Sequence, residues 1–172
     1  TIASQEDHLD VVKLLLDVEG IDVNQAMNSG ATALYIASEH DHSDIVKLLI
    51  GAEGINVNLA SNDGWTALLI ASQEGHSDIV KLLLNVEGIN VNQAKENGVT
   101  ALWIASQNGH LDVMKLLLGA EGINVNQAQE NGGTGLYIAS QQGHSDVVKL
   151  LLGAEEINVN QAKNGGWTAL YI

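Results

Sequence analysis

The chain has 172 residues, of which 45% are hydrophobic, and a formal net charge of −14 with seven lysines and no arginine or cysteine. This composition excludes a disordered chain, disulfide bonds and thiolate metal sites. It also argues against nucleic acids and anionic membranes as partners, because binding to polyanions requires lysine and arginine. No stretch approaches the roughly 20 apolar residues that span a bilayer.

The acidic charge is concentrated toward the N-terminus. Net charge is −5 over residues 1–31 and −4 over residues 32–65, and it falls to −2, −2 and −1 over the three 34-residue segments that follow. We therefore expect a protein partner with a basic segment. The lack of cysteine and of a visible signal peptide favours a cytoplasmic location. The sequence begins at Thr1 without Met, so a segment ahead of it could direct secretion or effector delivery.

A 34-residue period organises the chain, because one threonine recurs at this spacing. The recurring positions are Thr32, Thr66, Thr100, Thr134 and Thr168. They divide the chain into a partial repeat (1–31), four whole repeats (32–65, 66–99, 100–133 and 134–167) and the start of another (168–172). A fixed period of this kind predicts a single array over residues 1–172, in which each repeat buries its apolar face by stacking on its neighbours.

Within the repeat that begins at Thr66, the pattern predicts a first helix and a stop. The Thr66 hydroxyl can accept hydrogen bonds from backbone N–H groups one turn on, as N-cap residues do. Leu68, Ala71 and Ser72 fall on one helical face, and the small residues there would let another helix approach closely. Gly75 is the residue type that commonly ends helices in the left-handed conformation.

A second helix and a finger complete the repeat. Asp78 falls in the first turn, where its charge suits the helix dipole. The run 79–84 forms a broad apolar stripe from which Lys81 projects outward, and Gly88 is expected to end the helix. Ile89–Asn92 alternates apolar and polar residues, which predicts a short extended segment followed by a polar turn.

The units written TAL–IAS–GH–DVVKLLL–NVN resemble the ankyrin repeat, whose pattern runs TPLH, AA, GH, VVKLLL and G-A-D-V-N. Tetratricopeptide repeats share the 34-residue period but use aromatic residues and a closing proline at set spacings, and this chain has neither Pro nor Phe. The resemblance covers the whole chain. It implies an all-α, ankyrin-type α-solenoid with short hairpin-like fingers, working as a non-enzymatic scaffold for protein–protein interaction.

The repeats depart from the usual ankyrin pattern in three ways. Alanine, or Gly135 in one repeat, stands where the motif has proline, and an added glutamate in EGINVN lengthens the unit by one residue. The motif histidine is replaced by Tyr35, Leu69, Trp103, Tyr137 and Tyr171. These departures affect hydrogen bonding between repeats and leave the expected fold unchanged.

Several patterns suggest chemistry, but each has a simpler structural interpretation. His76-Ser77-Asp78 contains the residue types of a hydrolase triad, yet adjacent residues cannot form the ordered relay. The histidines that recur once per repeat lie about 8–10 Å apart if stacked helices carry them, too far to share a zinc ion. We expect turn histidines, an outer face of solvated lysines and asparagines bonded within the finger hairpin. We predict no catalytic residue, metal or cofactor.

The repeats differ from one another at two kinds of variable segment. These are the finger tips (27–31, 61–65, 95–99, 129–133 and 163–167) and the end of the first helix (39–40, 73–74, 107–108 and 141–142). The resemblance implies that these regions form the concave face that holds partners, and that equivalent positions form continuous rows. The predicted partner-binding residues are Met27, Asn28, Tyr35, Glu39, His40, Asp63, Trp65, Leu69, Glu74, Lys95, Trp103, Asn108, Gln129, Gln142 and Trp167.

Two alternatives apply to the aromatic and aliphatic members of that set. Trp65 and Trp167 are candidate binding anchors, with packing on the neighbouring finger as the alternative. For Tyr35, Leu69 and Trp103, and for the equivalent Tyr137, we favour packing in the seam between repeats.

A structural role is the second hypothesis for the whole chain. Both ends fall inside a repeat, without the polar capping repeats that such arrays require. The chain is then either a fragment of a longer array or a unit that stacks end to end. Leu14, Leu15, Leu170 and Ile172 are accordingly expected to be exposed, or buried against another copy.

Overall fold

A computed structural model describes residues 2–171, and regular structure in this part of the chain is exclusively helical. The helices are α1 (Ile2–Gln5), α2 (Leu9–Leu16), α3 (Ala33–Glu39), α4 (Ser43–Ile50), α5 (Ala67–Glu74), α6 (Ser77–Leu84), α7 (Ala101–Asn108), α8 (Leu111–Leu118), α9 (Gly135–Gln142) and α10 (Ser145–Leu152). The predicted all-α class is confirmed. Among the described residues, no helix has the length and apolarity needed to cross a membrane.

The chain forms two compact units, one ending at Asn90 and the other beginning at Val91. In the first unit, α3 packs against both α1 and α5, and α4 packs against both α2 and α6. In the second unit, α7 packs against α9 and α8 against α10. The boundary falls inside the repeat 66–99, so the single array over residues 1–172 stays a prediction.

The first helix of the repeat that starts at Thr66 begins and ends as predicted. The Thr66 hydroxyl accepts a hydrogen bond from the backbone N–H of Leu69 at 3.2 Å, and Gly75 follows α5 with a left-handed φ of 79°. Every residue from Ala67 to Ser72 is buried. This helix is buried nearly all round, which is why its sequence shows apolar and small residues on every side.

The second helix buries a narrower stripe than the sequence indicated. In α6, Ile79 and Leu83 are fully buried, whereas Leu82 and Leu84 are half-buried. The helix ends at Leu84, with Asn85 as its C-cap in the right-handed conformation. The prediction that Gly88 ends the helix is therefore wrong, because that glycine turns the loop beyond it. The lysines of these helices form exposed pairs with the aspartate three residues before them, at Lys47, Lys115 and Lys149.

The INVN motif forms a tight turn, so the predicted extended segment is wrong. The backbone N–H of Asn58 donates to Oδ1 of Asn56 at 3.1 Å. Asparagine side chains offer the backbone such local bonds in competition with extended structure. The finger that follows is hairpin-like, because Ser61 N donates to the carbonyl of Trp65 at 2.8 Å.

Asparagine side chains also join successive repeats. Asn24 Nδ2 donates to the carbonyl of Gly54 at 2.8 Å, and its Oδ1 accepts from the backbone N–H of Asn56 at 2.9 Å. Asn126 makes the same two bonds, to the carbonyl of Glu156 at 2.7 Å and from the N–H of Asn158 at 2.8 Å. The sequence predicted that these asparagines form hydrogen bonds within their own finger hairpin. Their bonds to the next repeat correct that prediction.

The recurring histidines join repeats as well. A nitrogen of His42 lies 2.7 Å from the carbonyl of Ser4, and Nε2 of His144 lies 2.9 Å from the carbonyl of Gln107. Since a carbonyl oxygen only accepts, each of these nitrogens carries the proton. The last carbonyls of a helix lack intrahelical partners, and the histidine of the following repeat satisfies one of them.

Candidate partner-binding surface

The structure places most of the predicted binding residues at or near the surface. The exposed ones are Met27, Asn28, His40, Asp63, Glu74, Asn108, Gln142 and Trp167. The half-buried ones are Tyr35, Glu39, Trp65, Lys95 and Gln129. Leu69 and Trp103 are buried, with 1% and 8% of their surface exposed.

Leu69 therefore does not belong to a binding surface. A partner can contact only accessible atoms, and the Leu69 side chain is enclosed within α5 and its neighbours. The packing interpretation of this position is the correct one. Trp103 is also buried, but it still lines a cavity that is described below.

In the first unit, the predicted residues gather around Tyr35. Its hydroxyl donates to Oε1 of Glu39 at 3.4 Å. Burial, followed by the negative charges of Glu39, Glu74 and Asp63, raises the pKa of Tyr35 to about 12. Three carboxylates, one on α3, one on α5 and one at a finger tip, thus raise the pKa of one phenol. They form an acidic region, which we define as Tyr35, Glu39, Asp63 and Glu74.

A histidine borders this acidic region. His40 Nδ1 lies 3.1 Å from the carbonyl of Ile36 and 3.7 Å from Oε2 of Glu39. The ring is exposed. The predicted residues His40 and Glu39 are therefore neighbours, as their adjacent positions at the end of α3 required.

The finger tips are tied to each other by backbone contacts. Asn62 N donates to the carbonyl of Ser29 at 2.9 Å, and Asn62 Nδ2 donates to the carbonyl of Asn28 at 2.8 Å. In the second unit, Asn164 N donates to the carbonyl of Asn131 at 2.7 Å. Hydrogen bonds of this kind hold neighbouring tips in a fixed arrangement, which lowers the entropy that binding would cost.

In the second unit, a cavity of about 210 Å³ brings finger tips and first helices together. Its lining includes Trp103, Gln129, Tyr137, Gln141 and Lys163. The ammonium group of Lys163 lies 4.7 Å from the centre of the Tyr137 ring. The predicted Trp103 and Gln129 therefore meet. Gln141 and Lys163 were not predicted, although both lie in the variable segments that the comparison of repeats identified.

The remaining predicted tryptophans lie outside this cavity. Trp65 is half-buried at a finger tip of the first unit, and its backbone N–H donates to Oγ of Ser61 at 3.1 Å. Trp167 packs edge-on against the ring of Tyr171, with ring centres 4.9 Å apart, and is still 45% exposed. Both rings therefore combine local contacts with accessible surface.

Two cavities lie at equivalent positions of the two units and do not mark a special site. One of about 700 Å³ is lined by residues around Gly119 and Gly153, and one of about 600 Å³ by residues around Asp17 and Gly51. Asp17, Gly51, Gly119 and Gly153 are all C-caps of second helices. Each groove lies between the loops that follow two successive second helices.

Several titratable groups of the described chain bond to neighbouring structure. His76 Nε2 lies 3.2 Å from the carbonyl of Glu39, so this ring bonds to the preceding repeat. The pKa of Asp44 is lowered by its hydrogen bond to Lys47, and that carboxylate is exposed. Within residues 2–171, no three His, Cys, Asp or Glu side chains gather as a metal site would require.

A sequence-family model and a solved structure both indicate the same family for this chain. The sequence model described as ankyrin repeats (3 copies) matches residues 1–61, 53–129 and 122–172. The solved crystal structure of EF0377, an ankyrin repeat protein, is similar over 98% of this chain and 86% of that chain, with 28% identity and a TM-score of 0.88. No curated protein sequence matches the chain.

Proposed function

The chain belongs to the ankyrin repeat family, and we propose that it acts as a scaffold that binds a partner protein and performs no catalysis. Ankyrin repeats generally mediate protein–protein interaction, and the family is typically non-enzymatic. The resemblance that the sequence indicated and the ankyrin-type fold are both confirmed.

One observation carries the proposal: a leucine that packs in the first helix is the same in successive repeats, whereas the finger tips differ and carry accessible side chains. Leu34, Leu68 and Leu102 are equivalent positions, hold the same residue and are buried. The finger tips differ in sequence, and there Met27 and Asp63 are exposed. Constant packing supports a rigid frame, and variable accessible residues are what a specific partner would contact.

The charge of the first unit favours a partner with a basic segment. Residues 1–90 contain 14 acidic side chains and three lysines, a net charge of −11. The acidic region around Tyr35 places three of these carboxylates near one another. Complementary charge accelerates association and favours partners of the opposite sign.

A capture experiment with matched variants tests the proposal. Proteins retained by the wild-type chain are compared with those retained by Trp65→Ala, Glu74→Lys and Glu87→Lys. Glu74 ends α5, whereas Glu87 lies in the loop after α6; both are exposed, and both lysine changes alter the charge equally. Trp65→Ala should cost on the order of 2 kcal/mol of binding if its ring is an anchor.

The controls separate the proposed surface from the rest of the chain. Glu74→Lys should weaken capture and Glu87→Lys should not. Added salt should weaken it too, because surface charges are screened over about 8 Å at physiological ionic strength. If Glu87→Lys, or Lys81→Ala on the outer face, reduces capture as much as Trp65→Ala does, the surface is wrongly assigned.

End-to-end assembly of copies is a second candidate, favoured by exposed apolar side chains. Leu14 and Leu15 are 69% and 47% exposed, and Leu170 is 96% exposed, as expected. Ile172, the fourth expected position, lies outside the described residues. A largely apolar cavity of about 380 Å³ borders Leu15 and Met27 and could receive apolar side chains of another copy.

Light scattering over a concentration series tests this candidate. The average mass should rise with concentration for the wild-type chain and should rise less for Leu15→Glu, which places a charge in the apolar contact. Lys81→Glu on the outer face serves as the control and should match the wild type. A mass that stays at that of one chain at the highest concentration would count against assembly.

A further inference from the structure

One leucine of the second unit shows how a first helix packs against the next repeat. Leu102 is buried. A Cβ added at Gly135, which begins α9, would lie 3.3 Å from Cδ2 of Leu102 and 2.9 Å from Oγ of Ser106. The Ser106 hydroxyl lies 2.7 Å from the carbonyl oxygen of Leu102 and 3.3 Å from Sδ of Met114. These four residues therefore form one packed cluster where two repeats meet.

In the first unit, the residues equivalent to three members of this cluster line a cavity. Ser4, Val12 and Ala33 all line the largely apolar cavity of about 380 Å³. They stand three 34-residue periods before Ser106, Met114 and Gly135, respectively. The cavity therefore lies at the place that Leu102 fills in the second unit.

The last leucine of the sequence has the same register but is exposed. Leu170 lies two periods after Leu102, and its side chain is almost fully exposed, whereas Leu34, Leu68, Leu102 and Leu136 are all buried. The backbone N–H of Tyr171 donates to the carbonyl of Thr168 at 3.1 Å, so this segment already forms a turn. A turn formed in advance lowers the entropy that binding would cost.

We propose that Thr168–Leu170 of one copy binds the 380 Å³ cavity of a second copy, with Leu170 in the place that Leu102 fills within the chain. The copies then join head to tail, and the packing between repeats continues from one copy into the next. In this register Tyr171 corresponds to Thr1 of the second copy, so the first copy's chain turns away after Leu170. This inference rests on end-to-end assembly, the second candidate function, and adds the residues and the register of the contact.

The asparagines that join successive repeats fit the same register. The Asn126 amide bonds to a carbonyl and to a backbone N–H of the following repeat. Asn160, one period later, is exposed, and the described residues give its side chain no partner. In the proposed contact the equivalent partners are the carbonyl of Gly20 and the N–H of Asp22 in the second copy.

The recurring histidine fits as well. His144 bonds to the carbonyl of Gln107 in the preceding repeat. His8 is the equivalent residue of the partial repeat 1–31 and is exposed. In the proposed contact its ring meets the carbonyl of Gln141 in the first copy, one period after Gln107. Three features of the packing between repeats thus agree on one arrangement of the two copies.

Two variants that each block one side of the contact test the proposal by light scattering. Added salt screens the repulsion between copies, which each carry a net charge of −14. Leu170→Glu alters the segment that binds, and Leu15→Glu places a charge at the cavity. Neither residue is buried, so both variants should stay folded. Each alone should associate roughly tenfold more weakly than the wild type, because burial of a leucine side chain is lost.

Mixing the two variants should restore a contact. The Leu15→Glu chain keeps its binding segment and the Leu170→Glu chain keeps its cavity, so an equimolar mixture should form a species of two chains and no larger one. A symmetric contact between two cavities would behave differently, because Leu170→Glu alone would then associate as the wild type does and mixing would add nothing.

A matched pair of asparagine variants tests the register. Asn160→Asp should weaken association of the otherwise unchanged chain by roughly tenfold, because a carboxylate cannot donate to the Gly20 carbonyl. Asn158→Asp adds the same charge two residues away and should change association little. Its Oδ1 only accepts, from the backbone N–H of Asn160 at 3.2 Å, as a carboxylate also can.

A mixture that behaves as its two components do alone would overturn the proposal, as would equal losses in the two asparagine variants. Association that persists in Leu170→Glu would overturn this contact and leave assembly of copies standing. A wild-type chain that keeps the mass of one copy would overturn both. The capture experiment, which alters Trp65 and Glu74, is independent of all these outcomes.

Discussion

The side-chain nitrogen of Asn58 lies 2.7 Å from the carbonyl oxygen of Gly88, thirty residues further along the chain. The Oδ1 atom of the same side chain accepts from the backbone N–H of Asn90 at 2.8 Å. One amide therefore satisfies an acceptor and a donor of the next repeat at once. The bond to the carbonyl requires N–H groups, which only the amide end of asparagine provides.

A pair of single substitutions in this turn tests that requirement. Asn58→Asp should destabilise the chain by roughly 1–2 kcal/mol, because a carboxylate cannot donate to Gly88 and faces its carbonyl oxygen. Asn56→Asp should change stability by less than about 0.5 kcal/mol. Asn56 uses only Oδ1, and Asp22 already makes the equivalent bond, accepting from the N–H of Asn24 at 2.9 Å.

Urea denaturation of both variants provides the measurement. The two substitutions introduce the same charge two residues apart, so a general effect of added negative charge acts on both. Equal losses of stability would show that charge, rather than the bond to Gly88, is responsible.

The sequence predicted the helices well because their signals are local. The cap at Thr66, the stop at Gly75 and the apolar run of α6 each depend on residues within one turn or one helix. The 34-residue period then indicated that copies stack. The cap and the apolar run recur in all four whole repeats and the glycine stop recurs in three, so the sequence shows the same pattern several times.

The INVN turns and the cavity in the second unit were not predictable in the same way. Alternation in Ile89–Asn92 has the period of a strand, but the asparagine side chains bond to their own turn and to the next repeat. Lys163 reaches the Tyr137 ring across the gap between a finger and a helix, a relationship that no local pattern encodes. Leu69 was misassigned because its variability reflected packing rather than recognition.

Replacement of Glu156 with glycine should stabilise the chain. Glu156 has a φ of 61°, whereas the equivalent Gly54, Gly88 and Gly122 have φ values of 75°, 80° and 73°. A side chain in this left-handed region is strained, and a Cβ at the equivalent glycines meets no atom within 4 Å. Relief of strain should outweigh the greater freedom of glycine in the unfolded chain by about 0.5–1 kcal/mol.

Thermal unfolding monitored by circular dichroism measures this effect. The reverse change, Gly88→Glu, is the matched control and should lower the midpoint of unfolding. A lower midpoint for Glu156→Gly would mean that the glutamate side chain makes a contribution that offsets its backbone strain.

Stability should fall at alkaline pH because of Tyr35. Burial, followed by the carboxylates of Glu39, Glu74 and Asp63, raises its pKa from 10.0 to about 12 in the folded chain. Between these values the unfolded state loses the phenolic proton while the folded state keeps it. The stabilisation from the neutral phenol is fully present below pH 10.0 and is lost as pH rises through about 12.

Denaturation curves for the wild-type chain and Tyr35→Phe across this window isolate that contribution. The variant lacks the titrating group, so its stability should decline less steeply as pH rises, whatever its stability at neutral pH. Parallel declines in the two chains would assign the alkaline loss to other groups.

His144 should contribute to stability through its contact with the preceding repeat. Its Nε2 bonds to the carbonyl of Gln107 at 2.9 Å, and its ring packs so closely on Gly109 that a Cβ there would lie 2.8 Å from Nδ1. His144→Ala should cost about 1–2 kcal/mol, because the carbonyl loses its partner and the ring leaves a gap.

His8, the equivalent residue in the partial repeat 1–31, is exposed. The described residues give its side chain no hydrogen-bond partner, so His8→Ala should change stability by less than about 0.5 kcal/mol. Chemical denaturation of the two variants at neutral pH compares the same substitution in the same turn, with and without a described hydrogen bond from the ring to a backbone carbonyl. A loss at His8 as large as that at His144 would show that the histidine stabilises its own turn rather than the junction between repeats.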